Sequence, residues 1–293
     1  MAEHRAGFVN IIGNPNVGKS TLMNALVGEK VSIITSKAQT TRHRIMGIVN
    51  AADFQIVYSD TPGVLKPGYK LHEKMMAFVN TALIDADVIL FVTDITDPNP
   101  IDADLLARVK TAGVPVLLLI NKIDLSEQKI IEQKVQEWAL LLPKAEIILV
   151  SALEKFNLSY VFDKIISLIP VCPPYYDKEE LTDKTQRFFV SEIIREKVLL
   201  IYEKEIPYSV EVVIESFKEE ERIIKISALI LVERDSQKGI LIGHLGKNLK
   251  RLGTDARIDM EEFLGKKVFL ELFVKVDKDW RNNEGKLKHF GYN

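Results

Sequence analysis

The sequence predicts an α/β domain, a mostly parallel sheet flanked by helices, joined to a smaller α+β domain. Three observations predict it. From residue 8 to about 169, short apolar runs alternate with longer amphipathic stretches. Pro170, Pro173 and Pro174 then break that rhythm, with Tyr175 and Tyr176 beside them. Beyond them the order changes to helix, strand, strand, helix, helix, strand.

In the first domain, residues 8–12, 56–58, 88–93, 116–120 and 147–150 read as strands. They are rich in Val, Ile, Leu and Phe without polar alternation, as in strands buried on both faces. Helices are expected at 19–27, 71–85, 102–111, 129–142 and 158–168. Residues 44–49 and 55–58, joined by 50–54, read as a hairpin that adds one antiparallel strand. Because proline lacks a backbone donor and disrupts regular elements, 171–186 reads as an interdomain linker between domains at 1–170 and 187–293. The second domain should hold a helix at 187–204, strands at 208–217 and 223–234 joined by the charged turn 218–221, a helix at 247–264 and a strand at 268–276. A glycine-rich corner precedes that last helix.

The 293 residues, 47% hydrophobic and 27% charged, suit two soluble globular domains. A formal net charge of −2 excludes a uniformly basic coat, so any nucleic-acid site must be a local patch. The one cysteine, Cys172, permits no internal disulfide and fits a reducing compartment. Residues 1–7 carry no apolar leader, and no apolar run approaches the ~20 residues of a membrane span. A cytoplasmic, soluble chain is expected.

The predicted strand 8–12 runs into Gly13-Asn14-Pro15-Asn16-Val17-Gly18-Lys19-Ser20, then Thr21 in the following helix. G-x-x-x-x-G-K-S between a strand and a helix is a phosphate-binding loop. Glycines let successive N–H groups turn inward, and the helix N-terminus adds partial positive charge. Lys19 should reach the outer phosphates of a nucleotide, and the Ser20 hydroxyl should ligate Mg²⁺.

Later segments choose the base. Asp60-Thr61-Pro62-Gly63 ends the next strand: Asp60 suits Mg²⁺ held through water, and the Gly63 N–H suits a γ-phosphate sensor. Asn121-Lys122-Ile123-Asp124 follows the strand ending at 120. The Asp124 carboxylate can accept guanine's N1–H and exocyclic amine, a pair adenine lacks. Such pairing discriminates by ~10⁴ or more. Ser151-Ala152 would offer the Ala152 N–H to guanine O6. These four segments resemble the G1, G3, G4 and G5 motifs of the translation-factor-related GTPases, except that Leu153 stands where Lys or Glu is usual. GTP and GDP are therefore the expected ligands.

Switch I is expected within Gln39-Thr40-Thr41-Arg42-His43-Arg44. Thr41, rather than Thr40, is preferred as the threonine closing on Mg²⁺. Arg42 and Arg44 read either as contacts to phosphate or a partner, or as exposed loop cations. Val64 follows Gly63 where Ras-type enzymes carry a water-orienting Gln, so intrinsic hydrolysis should be slow, on the order of 10⁻⁴ s⁻¹. No His, Asp or Cys constellation offers a side-chain base. The Pro-Asn-x-Gly-Lys-Ser form resembles potassium-stimulated GTPases, which implies either a K⁺ held beside the phosphates by Asn16 or an Asn that only shapes the loop.

In the second domain Gly243-His244-Leu245-Gly246 joins two helices and precedes Lys247, Lys250 and Arg251. Between residues 238 and 257 five cations (Lys238, Lys247, Lys250, Arg251, Arg257) face one anion, Asp255. Leu249, Leu252, Ala256, Met260 and Phe263 form one helix face, and Val268, Leu270, Leu272, Val274 and Val276 alternate along the last strand. The arrangement resembles a type II KH domain, whose glycine loop clamps single-stranded RNA backbone.

A phosphate-loop GTPase domain followed by such a module, with Gln39–Arg44 and Ser191-Glu192-Ile193-Ile194-Arg195-Glu196-Lys197, resembles the Era family of bacterial GTPases along essentially the whole chain. That resemblance implies a monomeric, GTP-dependent assembly factor for the 30S ribosomal subunit or its precursor. It also implies a KH domain that holds the 3′ end of small-subunit ribosomal RNA, and peripheral contact with the inner membrane. The alternative is a signalling or membrane-associated GTPase whose second domain docks a protein, which the basic glycine corner argues against. A metabolic P-loop kinase would have no use for Asn121–Asp124.

Overall fold

The computed structural model describes residues 3–97 and 102–292. It divides into two compact units, Met1–Gly68 with His72–Asp183, and Tyr69–Leu71 with Lys184–Asn293.

In the first unit β1 (Arg5–Ile12), β2 (Ile45–Asn50), β3 (Phe54–Asp60), β4 (Val88–Asp94), β5 (Val116–Asn121) and β6 (Glu146–Leu149) form one sheet, ordered β2-β3-β1-β4-β5-β6. The β2–β3 pair is antiparallel and all others are parallel. The unit's helices are α1 (Lys19–Val27), α2 (Lys70–Ile84), α3 (Ala103–Lys110), α4 (Gln128–Leu141) and α5 (Leu158–Leu168). Every residue of β4 is buried, which is why it reads as an unbroken apolar run. Because β1 lies between β3 and β4, the chain leaves it on one side and returns on the other. A crevice opens at the carboxyl ends of the strands, where ligands bind in such sheets.

Residues 171–183, part of the expected linker, are hydrogen-bonded within this unit. The Ile48 N–H donates to Leu181 O at 2.8 Å and the Met46 N–H to Asp183 Oδ1 at 2.9 Å. Buried Gln55 accepts from the Tyr175 and Tyr176 amides at 2.7 and 3.0 Å. The segment covers the open edge of β2, which would otherwise present unpaired backbone groups.

The second unit contains α6 (Gln186–Ile201), β7 (Glu211–Glu219), β8 (Ile223–Val232), α7 (Asp235–Ile242), α8 (Lys247–Leu264), β9 (Lys267–Val276) and α9 (Glu284–His289). β8 pairs antiparallel with β7 and parallel with β9. Leu252, Ala256 and Met260 of α8 are wholly buried, and Leu249 and the inward residues of β9 pack on the same core. Phe263 is half-exposed, its ring 5.2 Å from that of Phe189.

Among the departures from expectation, two are early element ends and one is an added helix. α6 stops short of 204 because Tyr202 turns extended, its hydroxyl donating to Leu241 O at 2.8 Å. β8 ends at Val232 because the Glu233 and Arg234 amides both donate to Gln237 Oε1, which caps α7. The tail after β9 carries α9, which the sequence reading did not anticipate. It is anchored by buried Trp280, whose indole donates to Ser209 O at 3.1 Å, and by buried Tyr292, whose hydroxyl donates to Glu211 Oε2 at 2.9 Å. Among the described residues no helix is long and apolar enough to cross a membrane.

Candidate functional site

The loop from β1 to α1 is shaped by close approach. A Cβ on Gly13 would lie 2.1 Å from Val92 O, and one on Gly18, at φ +95°, would lie 2.3 Å from Asn121 Nδ2. Asn16 adopts a left-handed φ of 64°, so the loop curls around its own amides. Gly63 is pressed against this loop: a Cβ there would sit 2.6 Å from Pro15 Cα, and the Val64 N–H donates to Gly13 O at 3.3 Å. The Thr61 hydroxyl donates to Ile11 O at 2.7 Å, locking buried Thr61 and Pro62 beside β1. A cleft of about 350 Å³ results, bounded by Pro15, Asn16, Lys19, Ser20, Thr41 and Gly63. Thr21 also lines it.

Lys19 is buried, donating to Gly13 O at 3.0 Å and Asn14 O at 2.7 Å. Burial pulls its pKa down to about 8, and the charge of Asp60 opposes that shift. Ser20 Oγ donates to Asp60 Oδ2 at 2.6 Å and lies 2.9 Å from Thr41 Oγ1, which itself donates to Asp60 Oδ2 at 3.2 Å. Burial pushes the Asp60 carboxyl upward, while the Ser20 hydrogen bond and the Lys19 charge pull it down. Asp60 Oδ1 is buried without a hydrogen-bond partner. Two hydroxyls and a carboxylate with an unpaired oxygen make an all-oxygen donor set, the chemistry that fits Mg²⁺.

Of the two switch threonines, Thr41 is the one brought to Ser20 and Asp60. Thr40 Oγ1 instead donates to Lys37 O at 2.6 Å and lies 2.6 Å from Thr35 Oγ1. Gln39 adopts φ 58° where the segment turns. Arg42, His43 and Arg44 are buried, so neither arginine is an exposed loop cation. His43 stacks 6.0 Å from the Phe78 ring. Arg44 donates to Ser59 Oγ at 2.6 Å and pairs with both oxygens of Asp85 at 2.5 and 2.9 Å, contacts that hold it inside the unit. Val64 packs on the core cluster around Ile12 and Phe91.

At the base end, Asn121 Nδ2 donates to Val17 O at 2.8 Å and Asn121 Oδ1 accepts the Ala152 N–H at 2.9 Å. The Ala152 amide expected for guanine O6 is thus engaged by Asn121, which ties the phosphate loop to buried Ser151 and Ala152. Asp124, on a short turn after β5, is exposed. Two residues missed by the sequence reading complete the site. Asp94, at the end of β4, pairs with Lys122 at 2.5 Å, and Lys122 also donates to Asn16 O at 2.8 Å. Asp97 accepts from Asn14 Nδ2 at 3.0 Å. An acid just past the carboxyl end of a central strand was the available signal for Asp94.

In the second unit Gly243 (φ +72°) and Gly246 (φ +75°) bend the chain between α7 and α8. A Cβ on Gly243 would strike Asn248 at 2.6 Å, whereas one on Gly246 would meet nothing within 4 Å. Leu245 is 93% exposed, and His244, Lys247, Lys250 and Arg251 are exposed beside it. The corner and its cations therefore stand together on an open surface.

A phosphate loop at the head of a mostly parallel sheet, an oxygen cluster at its end and a guanine-type Asn-Lys-x-Asp segment define a P-loop GTPase, here carrying a KH-type module. Family models agree: one described as a 50S ribosome-binding GTPase matches residues 8–122, and one described as a KH domain matches residues 205–281. The chain belongs to the Era family of GTPases. It is 46% identical to GTPase Era of Geotalea uraniireducens, over 99% of this chain and 98% of that protein. It is 42% identical to GTPase Era of Staphylococcus haemolyticus, over 100% and 98%. Among solved structures, Era in complex with MgGDPNP and nucleotides 1506–1542 of 16S ribosomal RNA superposes with a TM-score of 0.94 at 38% identity, covering 99% of both chains. A variant of Aquifex aeolicus Era bound to GDP·AlF4⁻ gives a TM-score of 0.93 at 38% identity, over 98% of this chain and 99% of that one.

Proposed function

We propose that this chain is a GTP-driven switch that binds the 3′-terminal region of small-subunit ribosomal RNA through its second unit and assists 30S assembly. The observation that carries the RNA assignment is the Gly243–Gly246 corner. Its open backbone at Gly246 and the exposed Lys247, Lys250 and Arg251 suit a sugar-phosphate strand. The likeness to an Era held with MgGDPNP and 16S ribosomal RNA supports the same reading.

In this reading Gly13–Thr21 cradles the phosphates, with Lys19 on the outer ones. Ser20, Thr41 and Asp60 would hold Mg²⁺, Asp60 through water. When bound, Mg²⁺ would offset negative charge on the phosphate oxygens. Gly63 senses the γ-phosphate, Asp124 reads guanine, and Asn121 and Lys122 brace the pocket walls. GTP is attacked by water to give GDP and phosphate. No side chain serves as base, and Val64, held in the core, orients no water, so the intrinsic rate is slow. Asn16, exposed at the cleft, would hold a K⁺, which would supply positive charge beside the phosphates. The protein acts as a cytoplasmic monomer, and any contact with the inner membrane is peripheral.

The test is a double variant, His244→Asp with Leu245→Asp. Two anions at the corner repel phosphate and leave the glycine turns intact. RNA affinity should fall at least tenfold in a salt-sensitive gel shift, with GTP affinity within about twofold because the corner and the nucleotide cleft share no residues and belong to separate units. Unchanged RNA binding would remove the assignment.

A further inference from the structure

Two residues at the phosphate end of the cleft adopt left-handed backbone, Asn16 at φ 64° and Lys122 at φ 61°. A residue with a Cβ occupies that region at a cost, so its surroundings must hold it there. The two are joined directly, Lys122 Nζ donating to Asn16 O at 2.8 Å. The ammonium is fixed in turn by Asp94, whose Oδ2 lies 2.5 Å away. Asp94 is itself immobilised: its side chain is buried, and its Oδ1 accepts the Thr96 N–H at 2.7 Å and the Thr96 hydroxyl at 2.8 Å. Three residues beyond Asp94, Asp97 accepts from Asn14 Nδ2 at 3.0 Å. Residues 94–97 therefore grip the phosphate loop at two points, one on either side of Pro15.

A buried carboxylate near a phosphate site is unfavourable on two counts, since it loses hydration and repels the ligand. Lys122 neutralises that charge at Asp94 and carries the constraint to the loop. We propose that Asp94 and Asp97 form an acidic clasp that holds the phosphate loop in its nucleotide-binding shape, Asp94 acting through Lys122 and Asp97 through Asn14. Both are positioning residues, and neither is among the residues that bound the cleft. The clasp sets how long a nucleotide is retained. GDP and GTP are affected alike, because neither contact involves Gly63 or Thr41. The inference rests on the role given above to Gly13–Thr21 as the phosphate cradle.

The readout is release of fluorescent GDP and of a fluorescent non-hydrolysable GTP analogue from the full chain, well below each variant's melting temperature. Asp94→Asn keeps the shape and removes the charge, so both nucleotides should leave about tenfold faster, the lower end for a lost charge-assisted hydrogen bond. Asp97→Ala should also speed both, by less, because it loses one bond to a neutral amide. The deciding comparison repeats Asp94→Asn in a Lys122→Met background. There it should leave release unchanged or slow it, since the cation it positions is gone and a lone carboxylate only repels phosphate. A general loosening of the fold would instead speed release in both backgrounds, and the same acceleration in both overturns the clasp. Unchanged release in Asp94→Asn or Asp97→Ala, or acceleration confined to one nucleotide, overturns it as well. Should Asp94→Asn fail to fold, Asp97→Ala, at a half-buried position, decides alone. Lys19→Ala separates the clasp from the reading beneath it. If Lys19→Ala speeds release and the acid variants do not, the clasp is wrong. If Lys19→Ala also changes nothing, Gly13–Thr21 is not the phosphate cradle and the proposal falls with it.

Discussion

Arg44→Ala should cost the GTPase unit about 2–3 kcal/mol. The guanidinium, its side chain 8% exposed, donates to Ser59 Oγ at 2.6 Å and Asn10 Oδ1 at 3.2 Å, and makes a two-pronged pair with Asp85. Asn10 in turn donates to Ala82 O and Asp85 Oδ1, so one cation ties β1 and β3 to the end of α2. Removing one partner of a buried, hydrogen-bonded pair costs about 3–5 kcal/mol. The Asp85 side chain is 39% exposed, so water recovers part of its solvation and the figure falls to ~2–3 kcal/mol. For a unit of this size each kcal/mol moves the melting point by about 2–4 °C, giving a drop of roughly 5–10 °C. Calorimetry of the full chain reads it in the transition that added GDP raises, since ligand linkage marks the GTPase unit. Arg44→Lys keeps the charge but not the fork, and should fall between. A shift under about 1 °C for Arg44→Ala would refute the clamp and return Arg44 to the candidates for a partner contact.

Asp124→Asn should shift preference from guanosine to xanthosine nucleotides, because the amide replaces one acceptor with a donor; competition binding with GTP and XTP checks it, and retained GTP selectivity would contradict the guanine assignment. Hydrolysis should run faster in K⁺ than in Na⁺ at equal ionic strength, and Asn16→Ala should erase the difference in a phosphate-release assay. Equal rates in both salts would remove the cation from the account.

The chemistry-bearing segments were legible because each is local. Gly13–Ser20, Asp60–Gly63, Asn121–Asp124 and Ser151-Ala152 each lie within a few residues at the end of an apolar run. The same holds for the Gly243–Gly246 corner between two helices. What sequence did not disclose depends on which strands become neighbours. Lys122 meets Asp94 only because β4 and β5 are adjacent, with Asp94 opposite Asn121 in register. Arg44 reaches Asp85 across β3 and β1 to the far end of α2, and nothing in a local window separates a buried clamp from a loop cation. The prolines and tyrosines of 170–176 signal irregular chain, yet not that the residues after them would cover the edge of β2. The six-residue α9 is too short for a helical period, and its anchors, Trp280 and Tyr292, lie outside it.

The central claim is that nucleotide state controls RNA binding. In the proposed reading Thr41 and Gly63 respond to a γ-phosphate, and the glycine corner is on the other unit, so coupling must appear as a difference in RNA affinity. The direct measurement is the dissociation constant for a single-stranded RNA matching the 3′ end of small-subunit ribosomal RNA, taken with saturating GDP and with a non-hydrolysable GTP analogue at one salt concentration. The account predicts tighter RNA binding with the analogue, and by linkage an equal factor in the preference of RNA-bound protein for the analogue over GDP. Equal RNA affinity in the two nucleotide states would contradict it, leaving two tethered domains without a switch.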